Sequence, residues 1–185
     1  GYAVIGADYF GMGASKEPEG YLVKGSHQQA TYDMVLASRA VLADLKLSDT
    51  RLFLSGWSQG SWSTQQFRHR LETFNIPVKA AATAATPVDL YLLLTRWINN
   101  PTKLDANWLA GSVILFTYSY AHYYDMPGLP QTIIKPEYQA VCRDFFDNKI
   151  GWEQLQPQIP AKIADLLQAD VVSRSSAGVD AFFSR

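Results

Sequence analysis

The tightest constraint on this chain is the run Gly56-Trp57-Ser58-Gln59-Gly60, because of what stands on either side of it. Ahead of it, Arg51-Leu-Phe-Leu-Ser55 is short, apolar and β-prone, and reads as a strand over 51–55. Behind it, Phe67, Leu71 and Phe74 recur at the spacing of one helical face, and the pattern predicts a helix over 60–74. A G-x-S-x-G run between strand and helix is a very sharp turn. Side chains two positions before and after the serine would collide with the neighbouring strand or block helix–strand packing, so Gly56 and Gly60 are expected to be required. The turn would lift the Ser58 hydroxyl above the sheet at a helix N-terminus. It would also aim the Gln59 N–H at the point where an oxyanion forms when such a hydroxyl attacks a carbonyl. The competing reading is a chance glycine-serine turn, against which the flanking strand and helix both weigh.

The rest of the first half alternates in the same way. Val4 and Ile5 lead through small residues into Asp8-Tyr-Phe-Gly-Met-Gly13, as a buried strand opening into a glycine-rich turn would. Ser26 and Gln29 have the spacing of a capping box, and Ala30, Met34, Ala37, Val41 and Leu45 then mark one face of a helix. Val78-Lys-Ala-Ala-Ala is a small-residue strand, and Thr86-Pro-Val-Asp89 reads as the cap of a further helix with proline in its first turn. Strand and helix in alternation imply a mostly parallel sheet flanked by helices. From residue 88 the strand signals stop, and 88–185 reads as helices broken by Pro101, Pro127, Pro130, Pro157 and Pro160. The expected division is 1–87 for the sheet-bearing core and 88–185 for a helical region.

Charge and cysteine content narrow the function. Sixteen basic and seventeen acidic residues, unclustered, give a net charge of −1 and no footprint for nucleic acid or an anionic membrane surface. The single cysteine, Cys142, can form no internal disulfide and has no ligand-spaced neighbours, so it reads as a small buried hydrophobe. No metal and no organic cofactor is implied. Residues 106–124 are apolar enough to raise a membrane span, but Asn107, Gly111, Ser112, Thr117, Ser119 and His122 favour a lid or core helix. Gly1-Tyr-Ala-Val-Ile-Gly-Ala-Asp8 opens directly in an apolar run that itself has no charged leader or signal pattern, any signal being expected upstream of Gly1, and the chain reads as beginning within a fold.

Gly1-Tyr-Ala-Val-Ile-Gly-Ala-Asp8 with its glycine-rich loop resembles the strand and loop that precede the serine turn of α/β-hydrolases. With Thr31-Tyr-Asp33, Ser38-Arg-Ala40 and Thr86-Pro-Val-Asp-Leu90, the pattern over 1–90 is similar to bacterial lipases and esterases of the secretory-lipase kind. Ser61 departs from it, standing where that family commonly has another glycine. The resemblance implies an α/β-hydrolase fold with a helical lid insertion over 88–185, incomplete at both ends. It implies ester hydrolysis through a covalent acyl-enzyme on Ser58, with secretion or a periplasmic address suggested by the resemblance alone. It further implies that the acid, the histidine and the second oxyanion donor lie outside these residues, and that the chain associates with the remaining segments of the same hydrolase.

The histidines and acids present fit that expectation. The fold orders its triad as serine, acid, histidine. His27 precedes the serine and reads as a capping or packing residue; His69 lies roughly 200° around the helix from Phe67 and reads as solvated. His122 alone follows Ser58, but within a helical stretch beside Tyr118 and Tyr120. Of the acids between Ser58 and His122, Asp89 reads as a helix cap and Asp105 earns no catalytic role, while Asp8 reads as a buried carboxylate shaping the sheet edge. Trp108, Phe116, Tyr118, Tyr120, Tyr123 and Tyr124 concentrate aromatic surface, which is read as core unless it lines an acyl or aromatic pocket for a small ester. Two other readings of the serine turn stand beside ester hydrolysis. One is a serine peptidase of the prolyl-oligopeptidase type, and the other is a non-catalytic binding protein that kept the fold. A cutinase, which depends on disulfides, is disfavoured by the single cysteine.

Overall fold

The computed structural model describes residues 2–48 and 51–183. It divides into two compact units, Gly1–Val88 and Asp89–Arg185.

In the first unit, the serine turn joins strand β1 (Phe53–Trp57) to helix α2 (Gln59–Thr73), which returns to strand β2 (Ala80–Ala84). The strands pair in parallel from Phe53 opposite Ala80 to Trp57 opposite Ala84. Helix α1 (Lys24–Asp44) packs on α2. Leu54 from β1 meets Phe67 and Leu71 from α2, with Tyr32, Val35, Leu52, Ile76 and Val78 around them. Leu71 is fully enclosed, which is worth roughly 2–3 kcal/mol for a side chain of its size.

The unit has the two expected helices but less strand than the sequence pattern suggests, and among the described residues its sheet has two strands. The strand expected around Val4 and Ile5 is not formed among the described residues: Tyr2 is 85 % and Val4 94 % exposed, and residues 2–8 carry no regular structure. A strand exists only through a hydrogen-bonded partner, and none among the described residues reaches this segment. The capping box at Ser26 is also absent. Helix α1 begins at Lys24, and the Ser26 hydroxyl instead bonds back to the carbonyls of Gly20 (3.2 Å) and Val23 (3.0 Å). The face of α1 that packs on the core of this unit carries Tyr32 and Val35, not the expected stripe of Ala30, Met34, Ala37, Val41 and Leu45, of which Ala37, Val41 and Leu45 are exposed.

The second unit holds α3 (Leu90–Asn99), α4 (Leu109–Tyr123), α5 (Leu129–Ile133), α6 (Pro136–Phe146), α7 (Trp152–Leu155), a 3-10 turn (Gln156–Gln158), α8 (Ile163–Leu166) and α9 (Ala169–Phe183). Helix α3 starts three residues after Pro87, so that proline lies outside its first turn. Asp89 is the cap, its carboxylate accepting the Leu92 N–H at 2.8 Å. Prolines open α5 and α6, where the missing N–H costs nothing. The core is contiguous, with Val113 and Ile114 of α4 enclosed among Ile134, Cys142, Leu155, Leu166 and Leu167. Ile134 and Leu167 form an isolated antiparallel bridge, the one place where this unit uses strand-like pairing among the described residues. Helix α4 has 15 residues, and among the described residues no helix is long and apolar enough to cross a membrane.

Candidate active site at the serine turn

Strand β1 ends two residues later than the sequence suggests, so that Ser58 follows it directly and caps α2. Ser58 has φ 53° and ψ −119°, a region that residues with a Cβ rarely occupy and that costs on the order of 1–3 kcal/mol. The surroundings hold it there. Its N–H donates to the Ala84 carbonyl at 3.0 Å, and its own carbonyl accepts the N–H groups of Ser61 (3.0 Å) and Trp62 (3.1 Å). Opposite it in the parallel register, Ala85 also turns left-handed, with φ 54°. Both strands therefore break together at the C-terminal edge of the sheet, where open α/β sheets bind ligands.

The requirement for glycine falls on one of the two expected positions. A Cβ on Gly56 would lie 2.2 Å from the Gly60 carbonyl oxygen and 2.6 Å from the Ser61 nitrogen, both rigid backbone. A Cβ on Gly60 would meet nothing closer than the Tyr9 hydroxyl at 4.0 Å. The steric conflict thus runs from position 56 onto the backbone at 60 and is not mutual.

Ser58 and Gln59 are half-buried, and Trp57 beside them is 72 % exposed. Gln59 occupies the first position of α2, where backbone N–H groups have no intrahelical acceptor, and among the described residues its N–H has none. A developing negative charge near Ser58 would meet this N–H and the positive end of α2.

Sequence reading singled out Ser61 only as a departure from glycine. In the structure its hydroxyl is fully buried and hydrogen-bonded to that of Thr86, tying the first turn of α2 to the loop after β2. Thr64 adds a second fastening, with its hydroxyl within 3.1 Å of the Ser55 carbonyl and 2.8 Å of the Gly60 carbonyl. A buried hydroxyl two or three residues into an elbow helix was the available signal, but its partner across 25 residues of chain was not.

Each of the three histidines has its own surroundings. His27 is fully enclosed between Tyr9 (ring centroids 4.3 Å) and Trp62 (5.3 Å), and neither ring nitrogen makes a hydrogen bond of ordinary geometry among the described residues. Burial drives its pKa down to about 4, weakly opposed by the nearby Gly20 backbone, so the ring is neutral at pH 7. His69 is exposed on α2, with Nδ1 3.4 Å from the Gln28 amide nitrogen. His122 is exposed in the last turn of α4, edge-on to Tyr123.

The acids are similarly occupied. Asp8 is exposed, contrary to the buried reading, because the strand that would have enclosed it is not formed. Its carboxylate instead fills the space beside Gly13, whose φ is +59° and where a Cβ would lie 2.3 Å from Oδ2. Asp105 accepts hydrogen bonds from Arg96 and from the Thr102 N–H, which together hold its pKa below the usual carboxylate value. The aromatic segment does not form one surface. Tyr118 stacks on Phe146 in the core, donates to the Gln139 carbonyl at 3.0 Å and has its pKa pushed up to about 12 by burial, whereas Trp108 and Tyr124 are exposed. Cys142 is buried, its thiol likewise pushed up to about 12. Among the described residues no cluster of metal-ligating side chains occurs.

No protein-family description matches this sequence, and no curated protein matches it. Solved structures do. A protein of Legionella pneumophila, whose description as a hydrolase is provisional, is similar at a TM-score of 0.83 and 21 % identity, over 96 % of this chain and 48 % of that one. The rice cell wall degrading esterase LipA of Xanthomonas oryzae is similar at 0.77 and 23 % identity, over 92 % of this chain and 47 % of that one. Its ligand-bound form is similar at 0.76. The chain spans about half the length of each, and at these identities the likeness establishes that it shares the fold of that half of a hydrolase chain.

Proposed function

We propose that this chain carries the nucleophile of a serine ester hydrolase, a lipase or carboxylesterase, with Ser58 at the tip of a nucleophile elbow. The observation that carries the reading is the strained Ser58 backbone, held by three hydrogen bonds next to the free Gln59 N–H. Strain maintained at such cost is common where geometry serves a reaction. On this reading a histidine takes the Ser58 proton as Oγ bonds to the ester carbonyl carbon, and the resulting oxyanion is received by the Gln59 N–H. Collapse breaks the bond to the alkoxy group, which leaves with that proton as the alcohol. Water then repeats the sequence on the acyl-enzyme and releases the acid.

We assign the histidine and its acid to polypeptide outside residues 1–185, since His27 is walled in, His69 is turned to solvent and His122 stands in the last turn of a helix, whereas the fold places its histidine on a loop after a strand. An ester-cleaving activity is in keeping with the named activity of LipA. The secretory-lipase type, an address outside the cytoplasm and a lid role for 88–185 rest on the resemblance of residues 1–90. Turnover of p-nitrophenyl butyrate by the complete protein tests the proposal. Ser58→Ala should lower kcat by at least about 10⁴-fold with folding unchanged. Undiminished turnover in Ser58→Ala would refute the assignment, and cleavage of peptide anilides in preference to esters would make the enzyme a peptidase.

A further inference from the structure

Helix α2 starts without the devices that usually fix a helix start. Its cap is Ser58, and a serine at a cap ordinarily turns its hydroxyl back to accept an N–H of the first turn. With φ at 53° and ψ at −119°, the Ser58 side chain makes no such bond, and no acidic residue stands in the first turn to meet the helix dipole. The Ser58 hydroxyl is left uncommitted, so another group has to hold the turn.

Along α2, three polar side chains fasten the helix to the strands and to the loop after β2. The Thr64 hydroxyl reaches the Ser55 carbonyl at 3.1 Å and the Gln65 amide donates to the Thr83 hydroxyl at 3.0 Å, but both belong to the second turn. In the first turn the fastening is the Ser61 hydroxyl, fully buried, with the Thr86 hydroxyl as its hydrogen-bond partner among the described residues. The Ser61 N–H in turn donates to the Ser58 carbonyl at 3.0 Å, so the fastening is one backbone bond from the strained serine. Thr86 is placed for this by the other strand. Ser58 and Ala85 lie level in the register and both turn left-handed, and Thr86 follows Ala85 as Gln59 follows Ser58. The hydroxyl pair therefore joins the two chains just beyond the point where both strands break. A glycine at 61, the common residue of the family that residues 1–90 resemble, has no side chain with which to make this closure.

We infer that Thr86 is a positioning residue for Ser58, acting through the Ser61 hydroxyl. The pair sets the first turn of α2 in place of a serine cap, which leaves the Ser58 hydroxyl free to attack and keeps the Gln59 N–H beside it. The inference rests on the reading of Ser58 as the nucleophile and adds two residues that never touch the substrate.

The test compares three variants of the complete protein with wild type. Thr86→Val removes the hydroxyl and keeps the shape, Thr86→Ser keeps the hydroxyl, and Ser61→Ala/Thr86→Val removes both members, so that no hydroxyl is left buried and unpaired. For each, kcat and KM with p-nitrophenyl butyrate, the urea midpoint and amide exchange at Ser61 and Trp62 are measured. Thr86→Val should lower kcat about 10–100-fold with KM within about twofold, as expected for a nucleophile displaced by a fraction of an ångström to an ångström. Thr86→Ser should recover most of that loss. The double variant should regain the wild-type urea midpoint yet keep the low kcat, because replacing both partners restores stability without restoring position. Exchange at the Ser61 and Trp62 amides should be at least about tenfold faster in both variants that lack the pair. If Thr86→Val does not fold, the double variant carries the comparison. Recovery of kcat together with stability in the double variant would make the pair a structural contact and overturn the inference. So would a kcat within about threefold of wild type in folded Thr86→Val, or unchanged exchange at Ser61 and Trp62. Absence of ester turnover by the wild-type protein would instead overturn the reading of Ser58 on which the inference rests.

Discussion

The two units enclose very different side chains. In the helical unit Ile114, Ile134, Leu155, Leu166 and Leu167 are fully enclosed, and they belong to one contiguous apolar cluster. Among the described residues of the sheet unit, the largest fully enclosed side chains are Leu71, His27 and Ser61, of which only the first is apolar. One unit is held by volume and the other by particular fastenings: a hydroxyl pair, a strained serine between two strands, a neutral imidazole between two rings. Apolar burial stabilises without directing anything, whereas polar fastenings fix geometry at a cost in desolvation. The unit with the candidate chemistry is the one that gives up apolar core.

The sharpest way to break this contrast lies in the serine turn. Gly56→Ala should destabilise the sheet unit by about 3 kcal/mol or more, since neither the Gly60 carbonyl nor the Ser61 nitrogen can yield. Gly60→Ala should be neutral or stabilise slightly, by up to about 0.5 kcal/mol. Equal losses from both, measured by urea unfolding, would mean that the turn is not held as described.

Core truncations come next. Ile114→Ala and Leu71→Ala each delete an enclosed side chain and should cost about 2–5 kcal/mol. Ile114, in the middle of a contiguous core, belongs at the upper end, and Leu71, beside a loosely covered sheet, at the lower. Amide exchange should show each loss within its own unit.

His27 separates the units by pH. Its folded pKa of about 4 lies below the unfolded value near 6.5, so between these the unfolded chain binds the extra proton and stability falls as pH is lowered. The contribution is fully present above about 6.5 and reaches a loss of about 3 kcal/mol near pH 4. His27→Phe should flatten that part of the stability profile, and an unchanged slope would place the imidazole in contact with water. The smallest effect belongs to the helical unit, where Asp89→Ala removes the cap of α3 for about 1 kcal/mol.

What could be read from the sequence divides along the same lines. The serine turn, the βαβ order around it and the Asp89 cap were legible because each is set by residues a few positions apart. The strand around Val4 and Ile5 is not formed because these residues carry strand-like pattern while a ladder needs a partner, and pattern is silent about partners. Burial of Asp8 failed with it. His27 reads as a capping or packing residue and is packed, but the rings that enclose it were invisible because Tyr9 and Trp62 reach it from other elements. The Ser61–Thr86 bond escaped for the same reason, with Thr86 read as a local cap. Residues that meet across the fold were hidden wherever their local role looked sufficient.

The central claim is that Ser58 is an activated nucleophile, and covalent labelling of the complete protein with a fluorophosphonate tests it most directly. Intact mass followed by peptide mapping should give one adduct, on the peptide containing Gly56–Gly60, absent in Ser58→Ala and retained in Ser61→Gly. No adduct at that peptide, or one that persists in Ser58→Ala, would contradict the account.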